Sequence, residues 1–302
     1  MNVHVYIPTL NGGERFLDVL KALANQTLPV QKHVVIDSGS TDGTIAAAEA
    51  AGFEVMGLGG RGFDHGGTRQ SAIEAYPAAD IYVFLTQDAI PADASALANL
   101  MGAFDDSRIG MAYGRQLPHL GATVMESHAR LFNYPAETQV RGLDDAGRYG
   151  IKTISCSNSF AAYRRIAFDA VGGFPSGTIM GEDVIVAGKL LLAGWKMAYA
   201  GDACVYHSHD YSIREEFERY FDIGVFHSDN RWIFDSFGRA DGEGLRYALS
   251  EIRYVGRRNP LLLPKVGCSF AAKWLGYKLG LIHRGLPRRL RKAFSMYKGY
   301  WD

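Results

Sequence analysis

The chain is poor in cysteine, and what it has is scattered. Cys156, Cys204 and Cys268 are the three in 302 residues. Their spacing suits neither a disulfide framework nor a paired metal ligand, so a reducing compartment is expected. No apolar run approaches 18 residues, which argues against a transmembrane helix. The N-terminus lacks the basic start and long apolar stretch of a signal peptide, because Val3 to Ile7 reads as a short strand ended by Pro8. Net charge is absent too, since 32 basic side chains balance 32 acidic ones. That balance conceals a polarity. Arg257 to Asp302 holds 11 Lys/Arg and one acid, or +10, and the remainder holds 21 basic and 31 acidic residues, or −10. An anionic partner is therefore expected at the C-terminal end.

What is present is ample apolar material. At 47% hydrophobic residues, the chain can build one large α/β domain, alone or with a helical appendage. The most informative stretch is Asp80 to Ala92. Its continuous apolar run, Ile81 to Leu85, predicts a strand buried on both faces. It ends in Thr86, Gln87 and Asp88, and Pro91 stops its extension. A carboxylate there sits where open α/β sheets bind ligands; a polar strand terminator is the other reading.

The strands before it follow the same plan. His4 to Ile7 leads into the loop Pro8 to Gly13, with a helix marked by Phe16, Leu20 and Leu23. His33 to Ile36 leads into Asp37 to Thr44, and an alanine-rich helix follows from Ile45 to Ala51. Asp37 is placed to accept hydrogen bonds from a base or ribose, and Asp42 to serve as a turn or cap residue. Phe53 to Met56 runs into a glycine-rich stretch from Gly57 to Arg69, where Arg69 is expected to reach a phosphate or a base edge. His65 either orients that loop or touches substrate. The dinucleotide fingerprint G-x-G-x-x-G is missing, which disfavours a nicotinamide cofactor.

Taken together, Ile7 to Asn11, Asp37 to Thr44, Phe63 to Arg69 and Thr86 to Ala89 resemble an inverting family 2 glycosyltransferase. Within it the chain most resembles bacterial rhamnosyltransferases of surface polysaccharides, including O-antigen and lipopolysaccharide synthesis. The resemblance implies a GT-A fold, an α/β architecture around a central, mostly parallel sheet that binds a nucleotide sugar. It implies a GT-A domain over 1–212, with a nucleotide-binding half to about 115 and an acceptor half over 116–212. A helical, basic, membrane-associating region over 213–302 would follow. Thr9, Asn11, Asp37, Arg69, Gln87 and Asp88 are the implied donor-binding residues. Asp88 matches the last acid of the family's D-x-D metal signature, but Gln87-Asp88-Ala89 lacks the first, and glutamine is a weaker ligand for a hard cation. A divalent metal, Mg2+ or Mn2+, is still implied.

Further along, Met111 to Arg115 suggests another strand, Leu117 to Asp145 a surface segment framing the acceptor or a purely structural excursion, and Arg141 to Tyr149 a flexible loop. Thr153 to Tyr163 is expected to return to the sheet. Gly181-Glu182-Asp183 opens a helix from Val184 to Ala193, where an acid either caps the helix or works as a base. A helix N-terminus favours the ionised form. The family resemblance assigns Asp183 as the general base that removes the acceptor proton, with Glu182 in support. Ala198 to Tyr206 reads as an edge strand ending in His207-Ser208-His209. By resemblance His207 completes the metal site, and His209 either orients the loop or meets a phosphate oxygen; two loop histidines with no ligand are the other reading.

The C-terminal third reads as helical, with Glu215, Glu216, Glu218 and Arg219 on the wet face of a helix from Ser212 to Phe226. Beyond a break at Gly256 and Pro260, aromatic and aliphatic residues alternate with Lys265, Lys273, Lys278 and the cluster Arg288-Arg289-Leu290-Arg291-Lys292. That mixture suits the headgroup boundary of an anionic membrane; an oligomer interface and intramolecular packing are its rivals. A nucleic-acid partner is disfavoured, because the first two-thirds is acidic.

The expected activity is inverting transfer of L-rhamnose from dTDP-β-L-rhamnose to a hydroxyl of a lipid-linked surface glycan, by a cytoplasmic enzyme peripheral to the inner face of the cell membrane. Another nucleotide-sugar donor, a sugar-nucleotide nucleotidyltransferase and an inactive glycan-binding scaffold are the alternatives. A nucleotidyltransferase would bring a basic glycine-rich loop after strand one, where this chain has Thr9-Leu10-Asn11-Gly12-Gly13. Joint presence of Asp37, Asp88 and Asp183 argues against a scaffold.

Overall fold

The computed structural model describes residues 1–60, 62–240 and 242–302. Arg61, inside the glycine-rich stretch, lies outside the described residues. The first half alternates strand and helix: β1 (Val3–Thr9), α1 (Gly13–Ala24), β2 (Lys32–Asp37), α2 (Thr44–Ala50), β3 (Glu54–Gly57), α3 (His65–Ala75) and β4 (Ile81–Leu85). Then come β5 (Ile90–Pro91), α4 (Ala96–Gly102), β6 (Ile109–Leu117), α5 (Val124–Asn133), β7 (Gln139–Arg141), α6 (Ala146–Tyr149), β8 (Phe160–Arg164) and α7 (Arg165–Ala170). The chain continues through α8 (Glu182–Leu192), β9 (Lys196–Tyr206), α9 (Ile213–Asp229), α10 (Trp232–Phe237), α11 (Glu243–Arg258), α12 (Leu263–Leu281) and α13 (Arg288–Phe294).

Nine strands form one sheet in the order β3-β2-β1-β4-β8-β6-β9-β5, with β7 also paired to β9. The pairs β1–β2, β1–β4, β2–β3 and β6–β9 are parallel, whereas β8 enters antiparallel between β4 and β6. Six strands therefore run one way, with β5, β7 and β8 against them, and the sheet is mostly parallel. Helices cover both faces. One core layer joins Val5, Ile7, Val83 and Leu85 to Phe16, Leu20 and Leu97, and the other joins Tyr6, Tyr82 and Phe84 to Phe168, Phe174 and Ile185. β4 is buried throughout, as its unbroken apolar run predicts.

Several expectations change. β9 is no edge strand: it lies between β6 and β5, and β7 adds to it. The surface segment expected after β6 contains a helix, since Thr123 and Glu126 form a capping box that starts α5. Arg141 to Tyr149 is not a loop either, as it holds the end of β7, a 3₁₀ turn and α6. Thr153 to Tyr163 reaches the sheet late: it ends a 3₁₀ turn, and only Phe160 onward is strand. Glu218 does not face water. It is 8% exposed, and Arg214 Nε donates to it at 2.9 Å.

The C-terminal helices pack closely on what precedes them. The core that contains Tyr6 and Tyr82 also takes in Phe221, Val225, Ile233, Phe237 and Trp301, so residues on both sides of position 212 share it. α9 and α12 lie almost backbone to backbone. A Cβ on Gly280 would stand 2.1 Å from the Phe221 carbonyl oxygen, and one on Gly276 2.3 Å from that of Phe217, so only glycine permits the approach. Three of the four α13 cations engage the tail: Arg288 Nε donates to the Trp301 carbonyl, Lys292 pairs with Asp302, and Arg291 lies over the Trp301 ring, while Arg289 is exposed. Among the described residues no helix is long and apolar enough to cross a membrane.

Candidate active site

Three loops at the carboxyl edge of the parallel strands are tied into one floor. Asn11 adopts φ +48, and its side-chain oxygen accepts the Thr41 N–H at 2.8 Å while its own N–H donates to Ser40 Oγ at 2.8 Å. Gly12 N donates to Thr44 Oγ1 and Gly13 N to Asp42 Oδ2. Asp37 anchors the second loop, accepting from Thr9 Oγ1 (3.2 Å), Ser40 Oγ (2.5 Å) and the N–H groups of Gly39 and Ser40. Burial opposes its ionisation, but these donors hold its carboxyl below the usual range. The Gln87 amide closes the floor from β4: Oε1 accepts the Leu10 N–H at 2.7 Å, and Nε2 donates to the Leu10 carbonyl at 3.2 Å. The position that lacks a carboxylate thus holds the first loop to the central strand.

Asp88 is flanked by both histidines of the loop after β9. Its Oδ1 is 3.4 Å from His207 Nε2 and its Oδ2 is 3.7 Å from His209 Nε2, while the two imidazole nitrogens stand 3.2 Å apart. Backbone pairing sets this up, because His207 N donates to the Leu117 carbonyl as β9 runs parallel to β6. Gln116, on β6, then selects the tautomer. Its Oε1 receives Arg130 Nη1 at 2.8 Å and lies 3.0 Å from His207 Nδ1. A carbonyl oxygen can only accept, so His207 Nδ1 carries a proton; Nε2 faces Asp88, donating to it when the ring is cationic and offering a lone pair to a cation when the ring is neutral. Burial resists ionisation of Asp88, yet the His207 hydrogen bond and both imidazoles hold it well below the carboxylate range. Burial and His207 push His209 down to about 4, so it is a neutral donor near pH 7. One ligand atom from each residue lies within 4.8 Å of the others, and a carboxylate with two neutral imidazoles fits a divalent cation. His209 thereby joins a candidate metal site beside His207, a role not expected of it from the sequence.

The second centre lies at the start of α8. Gly181 precedes it at φ +76, and a Cβ there would meet the Phe226 ring at 2.6 Å, so α9 fixes where α8 begins. Asp183 Oδ2 accepts the Asn158 N–H at 3.0 Å and Oδ1 accepts the Val184 N–H at 2.8 Å. Burial and the adjacent Glu182 carboxylate nevertheless push Asp183 up to about 7. The helix terminus alone predicts a readily ionised acid; desolvation and a like charge outweigh it. Glu182 behaves oppositely. Burial opposes its charge, but Arg69 and His65 hold it below the ordinary range, with Arg69 Nη1 at 3.2 Å and Asn158 Nδ2 donating at 2.8 Å. Two neighbouring carboxyls are thus separated into one ion and one group poised near neutrality.

Arg69 is placed differently from its expected role. It is 4% exposed, and its Nη1 is occupied by Glu182 and the His65 carbonyl, so it supports α8 rather than reaching a phosphate or base. His65 packs edge-on to Phe63 and Tyr297 at 4.9 and 5.3 Å, which makes it a loop-orienting residue. Asn158 and Ser159 connect the two centres, because Ser159 O accepts the Thr86 N–H two residues before Asp88, and Asn158 holds Asp183. Gln116, Arg130 and Asn158 escape sequence reasoning, since nothing in their spacing announces that they meet His207 or Asp183. Beside the histidines opens a cavity of about 870 Å³ between α5, α9, α11 and α12, walled by Phe132, Tyr220, Tyr247, Phe270 and Trp274.

Residues 4–172 match the model of glycosyl transferase family 2. The chain is 45% identical to the O-antigen chain rhamnosyltransferase RfbN of Salmonella typhimurium, over 100% of this chain and 96% of that one. It is 44% identical to the O-antigen chain rhamnosyltransferase WbaN of Salmonella anatum, over 98% and 94%. Among solved structures, the mannosyltransferase PcManGT from Pyrobaculum calidifontis, in complex with GDP-Man and Mn2+, matches with a TM-score of 0.59 at 19% identity, over 99% of this chain and 84% of that one. S. aureus TarS 1-349 matches with a TM-score of 0.55 at 18% identity, over 95% and 92%. These two share the fold. The chain is a glycosyltransferase of GT-A fold and belongs to glycosyl transferase family 2.

Proposed function

We propose that the chain transfers L-rhamnose from dTDP-β-L-rhamnose, with inversion, to a hydroxyl of a growing, lipid-linked O-antigen glycan. The observation that carries this reading is the full-length identity of 45% with an O-antigen chain rhamnosyltransferase. Local geometry supports the chemistry. As the acceptor oxygen bonds to the anomeric carbon, the bond from that carbon to the diphosphate breaks on the opposite face. The acceptor proton passes to Asp183, whose carboxyl near neutrality suits a base at physiological pH. Glu182, paired with Arg69, maintains the negative charge that raises Asp183.

Asp88, His207 and His209 would hold the divalent ion, and two imidazoles beside one carboxylate favour Mn2+ over Mg2+. When bound, such an ion supplies countercharge to the diphosphate leaving group. Thr9, Asn11 and Asp37 line the nucleotide side, with Gln87 bracing their loop. The aromatic cavity beside His209 offers stacking faces to an acceptor sugar. The enzyme works at the cytoplasmic face of a membrane, docked through the outer side of α12 and its C-terminal cap, where Leu275 is 47% and Ile282 60% exposed beside Lys278.

The test is transfer from dTDP-β-L-rhamnose, compared with UDP- and GDP-sugars, to lipid-linked acceptor in the presence of Mn2+, with the anomeric configuration of the product read by NMR. Inverted rhamnoside from the dTDP donor alone is expected. Retention of configuration, or preference for another donor, sinks the reading.

A further inference from the structure

Behind the base lies a second cavity, of about 930 Å³, that the transfer chemistry leaves unused. Arg141, Arg148, Lys152, Arg239 and Arg246 line it against one carboxylate among the described residues, Glu243. Glu243 is already shared, pairing with Lys152 and, at 2.7 Å, with Arg246. The other three cations have no carboxylate partner among the described residues. Arg148 lies over the Tyr149 ring and Arg239 over that of Phe234. Arg141 donates to the Lys152 carbonyl and to Gln139 Oε1, and its buried Nε has no partner. Cations gathered in one cavity repel each other, and guanidinium forks match phosphate oxygens in geometry and charge. Three guanidiniums that find no carboxylate among the described residues exceed what a single carboxylate ligand would need.

Position tells which substrate brings that charge. Cys156 lines the cavity, and Asn158, two residues on, donates its N–H to Asp183. None of Thr9, Asp37 and Asp88 is among its walls, so it is separate from the nucleotide side. Phe132, Asn133, Lys152 and Glu243 are shared with the aromatic cavity, which leaves room for the uncharged parts of the same molecule. We infer that this basic cavity binds a phosphate or diphosphate group of the acceptor, holding the sugar beside it against Asp183. The identification of the ligand as acceptor rests on the glycosyl-transfer reading; the binding of a phosphate-class anion does not.

Inorganic diphosphate is the first probe, titrated calorimetrically into the full-length chain in chelator, with and without saturating dTDP. Binding that persists with dTDP and weakens at least tenfold in Arg148→Ala/Arg239→Ala is expected; both side chains are exposed, and thermal unfolding checks that the variant is folded. No binding to the wild type, or binding displaced by dTDP and equal in the variant, overturns the site. The second arm compares KM for a short-chain lipid diphosphate monosaccharide with KM for the neutral octyl glycoside of the same sugar. The wild type should prefer the diphosphate acceptor about tenfold, and the double variant should lose that preference. Equal KM values in the wild type, despite diphosphate binding, would mean that the anion arrives free and would overturn the acceptor assignment. A chain that releases no nucleotide from dTDP-rhamnose would sink the rhamnosyl reading, and the titration would still decide the cavity.

Discussion

Asp88 Oδ1 and His207 Nε2 face each other at 3.4 Å across the ends of two strands that are not neighbours in the sheet, β4 and β9. With Gln116 holding a proton on Nδ1, a neutral His207 ring turns its lone pair to the carboxylate, and His209 Nε2 stands 3.2 Å from the same nitrogen. Such an arrangement is strained unless a cation or proton lies between them. Asp88→Asn should therefore lose most activity at low Mn2+ and recover part of it at high Mn2+, with His207→Ala and His209→Ala moving in the same direction. Full wild-type activity in excess chelator would end the metal hypothesis.

Gln116 provides a subtler test, because it touches His207 but offers no ligand of its own toward Asp88. Gln116→Leu removes the acceptor that holds the His207 proton on Nδ1. Mn2+ affinity, read by electron paramagnetic resonance, should weaken roughly 10–100-fold. An unchanged affinity would show that the tautomer is set elsewhere.

Asp183 must be ionised to accept a proton, and its carboxyl is raised to about 7. The wild-type kcat/KM should accordingly fall as pH drops through about 7, not through the ordinary carboxylate range. Asp183→Asn should reduce turnover by roughly 10²-fold or more with donor binding largely retained. Near-normal turnover at saturating donor and acceptor removes the residue from this role.

Glu182→Gln separates charge from chemistry. It removes the like charge that raises Asp183 while Arg69 remains, so the acid limb of the pH profile should move to lower pH. It also leaves Arg69 buried without its carboxylate, at a cost of roughly 3–5 kcal/mol. Thermal unfolding and the pH profile should both shift; a lower Tm with an unmoved acid limb would refute the electrostatic link.

Membrane docking can be tested by flotation with neutral and anionic liposomes across a salt series. Since Arg288, Arg291 and Lys292 are engaged with the C-terminal tail, the informative variant is Leu275→Glu/Ile282→Glu on the outer side of α12 and its C-terminal cap. Wild-type binding should favour anionic lipid and weaken with salt, and the variant should bind less. Equal recovery with both lipids, or none with either, would favour an oligomer or packing role.

Much of the nucleotide side was legible because its signals are local. An unbroken apolar run such as Ile81 to Leu85 can only be a doubly buried strand or a buried helix, and its length together with Pro91 decides between them. Asp37, Asp88 and Asp183 each follow a strand or precede a helix, where short-range rules apply. The capping box of Thr123 and Glu126 is equally local, yet its polar, aromatic-rich context reads only as a surface segment.

Other features depend on residues that are far apart in sequence. The chain by itself determined the order of strands and helices, the carboxylates at their ends and the basic C-terminal third, because periodicity, turn chemistry and charge act over a few residues. Tertiary structure alone decided that β9 lies inside the sheet, that His209 joins His207 at Asp88, and that Arg69 serves Glu182 instead of a phosphate. It also decided the protonation of Asp183. A helix N-terminus lowers an acid's pKa through nearby N–H groups, whereas the burial and like charge that raise Asp183 come from packing over the whole fold.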